Sequence, residues 1–212
     1  VNETGKQAGR YMYRTHEVRA GSTYVEGGAV SVVDLKTGKA RVIAQDPSWT
    51  ALDGIYWTPW GSVLFAEETT NGRLMELVLD EHDKISGVAV ERPAVGLLAH
   101  EGIEIDREGS VYVVDEFRGQ TSGYGGGIYK FVPDNFGDLT SGKLYALKVT
   151  GDDGVGQGEW VGPIDAANAA ISGTAAGGTG YQRPEDLQII GNTLYVAVTE
   201  GDKVQAQIQF GY

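Results

Sequence analysis

The chain has 212 residues, 32 glycines, no cysteine and a formal net charge of −12. That length can bury one sizeable core. The missing cysteine excludes disulfides, thiolate metal sites and cysteine nucleophiles, and the acidic balance argues against nucleic acid or an anionic membrane as partner. No apolar run approaches the ~20 residues of a membrane span, and Val1 is not an initiating residue, so the sequence reads as a mature chain or a fragment.

Short runs of Val, Ile, Tyr and Thr between glycine turns predict many strands and no long helix. Residues 9–17 open the chain with a strand ending in His16 and Glu17. Strands are expected over 29–34 and 40–44, joined by the turn Lys36-Thr37-Gly38-Lys39. Residues 52–68 then form the first full copy of a repeat: an acidic residue (Asp53), a short strand, a glycine turn (Gly61), an apolar strand and a closing acidic pair (Glu67, Glu68). Strands over 73–79 and 87–90 follow, with His82 in a hydrophilic turn between them.

Residues 100–116 are the second copy, with Glu101 at its start, Gly109 at the turn, and Asp115 and Glu116 at its end. The run 123–127 is read as a turn and not as a phosphate cradle, because no helix follows it. Strands over 127–132 and 143–149 come next. Residues 151–180 read as a Gly-rich surface insertion, with a short Ala-rich piece over 165–171 as the nearest approach to a helix. Arg183 precedes the third copy, residues 184–200, which begins with Glu185 and Asp186, turns at Gly191 and ends at Glu200. A last strand is expected over 203–210.

Four short antiparallel strands per repeat, at a period near ~40–50 residues, predict an all-β fold: a β-propeller of four-stranded blades. The whole chain, 1–212, reads as one domain of about four blades, the outer two partial. The first lacks its innermost strand and the last its outermost. Segments 54–57, 102–105 and 187–190 are expected to line a common axis. A closed propeller usually has about 4–8 blades, so a further chain segment or a second copy is expected to cover the open edges.

In such a blade the start of the innermost strand and the end of the second lie at the same mouth. The repeat carries its acids at those two places. Glu17, Asp53, Glu67, Glu68, Glu101, Asp115, Glu116, Glu185, Asp186 and Glu200 are therefore expected at one end of the molecule, with His16 and His100 either joining them in the site or hydrogen-bonding a neighbouring turn. Crowded carboxylates raise each other's pKa or recruit a cation. Calcium, which accepts several hard oxygens in flexible geometry, is the natural choice. Acidic residues also end strands simply as solvated turn residues. Arg183 beside Glu185 is either an ion pair that fixes its loop or a fork for a phosphate oxygen. Trp49, Trp57 and Trp60 are expected to pack between blades, with a sugar-stacking platform as the alternative.

Taken together, Leu52-Asp53-Gly54, Thr58-Pro59-Trp60-Gly61, Ala66-Glu67-Glu68, Ala99-His100-Glu101-Gly102, Val114-Asp115-Glu116, 127–133 and Arg183-Pro184-Glu185-Asp186 resemble the PhoX-type alkaline phosphatases, in the same order and over nearly the whole chain. The resemblance implies a calcium-dependent phosphomonoesterase on a propeller, exported from the cell to the periplasm, the cell surface or the medium. Glu17, Glu67, Glu68, Glu101, Asp115, Glu116, Glu185 and Asp186 would be metal ligands, and Arg183 and Glu185 catalytic. It also implies iron beside calcium, but members hold that iron with the help of a cysteine, which this chain lacks. Two other readings stand beside this one: a calcium-dependent lactonase or esterase, and a non-catalytic calcium-stabilised propeller that self-assembles through its open sheet edges.

Overall fold

The computed structural model describes residues 1–19, 21–23, 26–80, 82–151, 156–199 and 206–209, the last four as backbone. Over these residues the chain is all-β, with fifteen strands in four antiparallel sheets that follow one another in chain order. Sheet 1 holds β1 (Tyr11–His16), β2 (Gly28–Asp34) and β3 (Lys39–Asp46). Sheet 2 holds β4 (Leu52–Trp57), β5 (Val63–Glu67), β6 (Leu74–Leu79) and β7 (Gly87–Glu91). Sheet 3 holds β8 (His100–Ile105), β9 (Val111–Asp115), β10 (Ile128–Asn135), β11 (Asp138–Thr150) and β12 (Gln157–Val161). Sheet 4 holds β13 (Pro184–Ile190), β14 (Thr193–Val198) and β15 (Ala206–Gln209).

Within each sheet every strand pairs with its neighbour in sequence, as tight turns dictate. Gly61, Gly109 and Gly191, the turn glycines of the three repeats, all have positive φ (+89°, +87° and +63°), a conformation that a side chain disfavours. Burial follows position in the series. Every residue of β5 is buried because sheets cover both its faces, whereas β14 buries Leu194 and Val196 and exposes Tyr195 and Ala197. Each consecutive pair of sheets closes on its own apolar layer. Tyr11, Tyr13, Val30 and Val32 meet Phe65, Met75 and Leu77 between sheets 1 and 2. Leu64, Ala66 and Leu74 meet Ile103, Val111, Val113 and Phe131 between sheets 2 and 3. Tyr112, Val114 and Ile128 meet Leu187, Leu194 and Val196 between sheets 3 and 4. The tryptophans belong to this packing: Trp49 meets Phe65 edge-on, Trp57 stacks with Tyr13, and Trp60 meets Phe136 edge-on.

The Gly-rich stretch differs from the surface loop expected of it. Residues 152–155 lie outside the described residues, but 157–161 add β12 as a fifth strand on sheet 3. A 3-10 turn, Ala166–Asn168, then leads into a short helix, Ala169–Ala175, with Asp165 accepting from the Ala167 amide at 3.0 Å. Glycine here serves packing and not flexibility. A Cβ on Gly173 would stand 2.9 Å from the Tyr129 ring, so only a bare backbone lets the helix lie against sheet 3. The strand expected over 203–210 is described at 206–209, where it pairs with β14; 203–205 and 210 lie outside the described residues.

The first strands of sheets 2, 3 and 4 pack side by side, β4 against β8 and β8 against β13, and β1 packs against β4. Two glycines permit this. A Cβ on Gly54 would run into the Glu101 carbonyl oxygen, and one on Gly102 would stand 2.7 Å from the Glu185 carbonyl oxygen. Gly54→Ala and Gly102→Ala are each expected to destabilise by about 1–3 kcal/mol, the cost of forcing apart a packed contact. Gly38→Ala has open space around it and is strained only by its φ of +70°, so it should cost about 1 kcal/mol. Chemical denaturation of the three variants checks the order.

Candidate metal centre

The repeat places its acids through register. In the three hairpins Leu52 faces Glu67, His100 faces Asp115 and Pro184 faces Val198. The ladder then shifts between 52 and 55, between 100 and 103, and between 184 and 187. Such a bulge releases residues from the ladder and re-aims their side chains. The released residues are Asp53, Glu101 and Glu185, each with its successor. Past the other end of each hairpin the chain is tied back by one amide: Glu68 to the Ala51 carbonyl (2.8 Å), Glu116 to that of Ala99 (2.8 Å) and Thr199 to that of Arg183 (3.1 Å). Thr199, and not Glu200, thus holds the position of Glu68 and Glu116. Glu200 lies outside the described residues.

These devices bring Asp53, Glu68 and Glu101 together, with one carboxylate oxygen of each lying within 4.8 Å of the others. Glu116 adjoins the group through Glu68, whose carboxylate raises its pKa. Burial, and then the charges of Asp53, Glu68, Glu116 and Glu185, push the Glu101 carboxyl up to about 8. Burial and the charges of Glu17, Glu116 and Glu185 raise Asp53, against the pull of Arg19. Burial and the neighbouring Glu68 raise Glu116, against the pull of Arg183. The buried Oε2 of Glu101 has no hydrogen-bond partner among the described residues. A buried polar atom without a partner carries a desolvation cost that a bound cation would remove.

Two arginines flank the acids. Arg19 pairs with Glu17 at 2.5 Å and with Glu68 at 3.1 Å. Arg183, with φ of +54°, pairs with Glu116 and, at 3.2 Å, with Glu185. Glu185 also accepts from the Thr199 hydroxyl at 2.6 Å.

Other expected members stand apart from the group. Glu67 is buried and fully engaged: it accepts from the Thr50 amide (3.0 Å), the Arg73 amide (3.1 Å) and the Arg73 fork (2.7 and 2.9 Å). Burial pushes its carboxyl up, but Arg73 and the two amides outweigh that and hold it below the usual range. Asp115, its counterpart in the next repeat, accepts from the Ala99 amide (3.0 Å) and the Gly126 amide (2.9 Å). Burial pushes Asp115 up to about 6 against those two bonds. In each closing pair, then, the first acid ties down its own loop and the second faces the cluster. Asp186 is exposed and accepts from the Leu187 amide at 2.8 Å. Neither mouth histidine faces the acids: the His16 Nε2 meets the Ser31 hydroxyl (2.7 Å), and the buried His100 donates from Nε2 to the Gly96 carbonyl (3.0 Å), with burial lowering its pKa to about 4. Arg19 and Thr199 are the members that sequence reasoning misses. Arg19 lies in a loop outside the repeat, and Thr199 is visible only once the register is known.

The pH dependence of the metal-free protein follows. Glu101 titrates near 8 when folded and near its ordinary value when unfolded, so the folded state holds the extra proton between those limits. In chelator the melting temperature is expected to fall as pH rises from 5 to 9, as Glu101 is forced to ionise among its neighbours. Glu101→Gln cannot ionise and should flatten that fall. Thermal melts across this range check both.

The model of the alkaline phosphatase PhoX family matches residues 79–210. The match takes in Glu101, Asp115, Glu116, Arg183 and Glu185, while Glu17, Asp53 and Glu68 precede it. No curated protein matches the chain. With a matched segment that spans well over half its length, the chain belongs to the PhoX alkaline phosphatase family.

Proposed function

We propose that the four sheets are successive blades of one β-propeller domain, and that the acids at its mouth hold calcium for the hydrolysis of phosphate monoesters outside the cytoplasm. Supporting the architecture are the meander within each sheet, the apolar layer between each consecutive pair, and the contacts of β4 with β8 and of β8 with β13. The localisation rests on family membership. Among the described residues no helix is long and apolar enough to cross a membrane.

The observation that carries the metal reading is the convergence of Asp53, Glu68 and Glu101, with a buried Glu101 oxygen that has no hydrogen-bond partner among the described residues. A donor set of carboxylates alone suits a hard cation such as calcium. Asp53, Glu68 and Glu101 would hold it, with Glu116 adjoining. Iron held through a thiolate does not fit, since the chain has no cysteine. Bound calcium would offset charge on the phosphoryl oxygens of an ester. The chain's own contribution is Arg183, whose planar fork matches a pair of phosphate oxygens. Glu116 and Glu185 hold that fork beside the acid cluster.

The same pairing favours a second reading, a calcium-stabilised propeller without catalysis. An arginine already gripped by Glu116 and Glu185 neutralises acids and has no need of a substrate. Release of phosphate from a simple aryl phosphate, measured with calcium and in chelator, separates the two. Calcium-dependent release that is lost in Arg183→Lys supports the hydrolase. Absence of release from a range of monoesters supports the binding protein.

Both readings expect calcium to raise the melting temperature. At a hundredfold excess over Kd the gain is about 2.7 kcal/mol, or several degrees for a chain of this size. Glu101→Gln and Glu68→Gln should abolish most of that gain, while Asp186→Asn, outside the cluster, should leave it intact. An unchanged melt on chelation of the wild type would show that the acids hold no cation.

A further inference from the structure

Asp53, Glu101 and Glu185 stand at equivalent places on β4, β8 and β13. Three residues further along the same strands stand Tyr56, Glu104 and Gln188, again equivalent to one another. These three side chains meet: Glu104 is hydrogen-bonded to Gln188 and adjoins the Tyr56 hydroxyl. Glu104 is buried, at 5 % exposure. It accepts from the Gln188 amide of β13 at 2.8 Å and from the Ile105 backbone amide at 3.3 Å, and the Tyr56 hydroxyl of β4 stands beside it. A single carboxylate on the middle strand thus meets side chains from the first strands of the two adjoining sheets. An apolar side chain could not do this, because it offers no lone pairs to the two facing donors.

We infer that Glu104, set between Tyr56 and Gln188, is a positioning residue that sets the spacing of the carboxylates at the mouth, and so their affinity for a cation. The inference deepens the calcium reading and rests on it. Calcium takes its oxygens at 2.3–2.6 Å, and a site functions only when its donors are held to within about 0.5 Å. The hydrogen-bond ladders run within each sheet, so they do not set the distance between sheets where Asp53, Glu101 and Glu185 stand. The side-chain contact across all three strands at Glu104 lies about 10 Å further along, at about 3.3 Å per residue. Gly54 and Gly102 let the strands approach closely, and the Glu104 contacts fix how closely.

The test uses the full chain. Calcium is titrated calorimetrically into wild type, Tyr56→Phe, Gln188→Ala and Glu104→Gln, and each is melted in chelator. Val196→Ala, which trims the apolar layer between sheets 3 and 4, is the control for general loss of stability. Tyr56→Phe and Gln188→Ala are expected to bind calcium about tenfold more weakly, the usual scale for a partner behind the ligands. Glu104→Gln should be weaker still, and Val196→Ala should melt earlier with its affinity intact. If Tyr56→Phe fails to fold, Gln188→Ala decides, since Gln188 is reached by solvent and needs no repacking. Wild type that takes up no calcium defeats the metal reading, and this inference with it. Wild type that binds while Tyr56→Phe and Gln188→Ala bind equally well overturns this inference alone. So does a Val196→Ala variant that loses as much affinity as they do.

Discussion

Repulsion among Asp53, Glu68 and Glu101 is the constraint around which the mouth of this molecule is arranged. Carboxylates whose oxygens lie within 4.8 Å of one another stay together only if something offsets their charge. The protein uses three means. Glu101 retains a proton to about pH 8. Burial and Glu68 hold the Glu116 carboxyl above its usual range, which favours its proton. Arg19 and Arg183 bring positive charge to the two flanks. None of them satisfies the buried Glu101 oxygen. A cation would act on the same acids more directly, and each of these means would then yield to it.

The repeat was legible because each of its parts answers to a local rule. Gly61, Gly109 and Gly191 require positive φ, the apolar runs after them require cover, and the three copies therefore read as three hairpins. Which acid of a closing pair faces the cluster was not legible. Glu67 and Glu68 are equally acidic, and only the register, which sets Glu67 opposite Leu52, turns one inward to Arg73 and the other outward. The same holds for Asp115 and Glu116. His16 and His100 showed the limit of reasoning from neighbours in sequence. Each sits directly before a mouth acid, yet strand alternation sends its ring to the other side.

Glycine content was the least reliable guide. In the stretch after β11 it suggested a loop, whereas Gly173 is what allows a helix to pack on Tyr129. Gly54 and Gly102 read as parts of a motif, and their reason is spatial: each lies beneath the backbone of the next sheet. A residue that is small because a distant strand passes close by carries no local mark of that fact. Sequence reasoning therefore recovered the strands and the acidic positions, while contacts between sheets decided what each acid does.

The third repeat breaks this pattern at one atom. Where the first two copies have Gly54 and Gly102, it has Asp186, whose Oδ1 bonds the Leu187 amide. The two glycines act as windows through which the following strand's carbonyl enters, and in sheet 4 that window is shut. Between sheets 2 and 3 and between sheets 3 and 4 the close contact is glycine against backbone, and β13 has no glycine at the equivalent place. At β13 the series therefore presents a side chain, and not a bare Cα, at the place where β4 and β8 each receive a neighbouring strand's carbonyl.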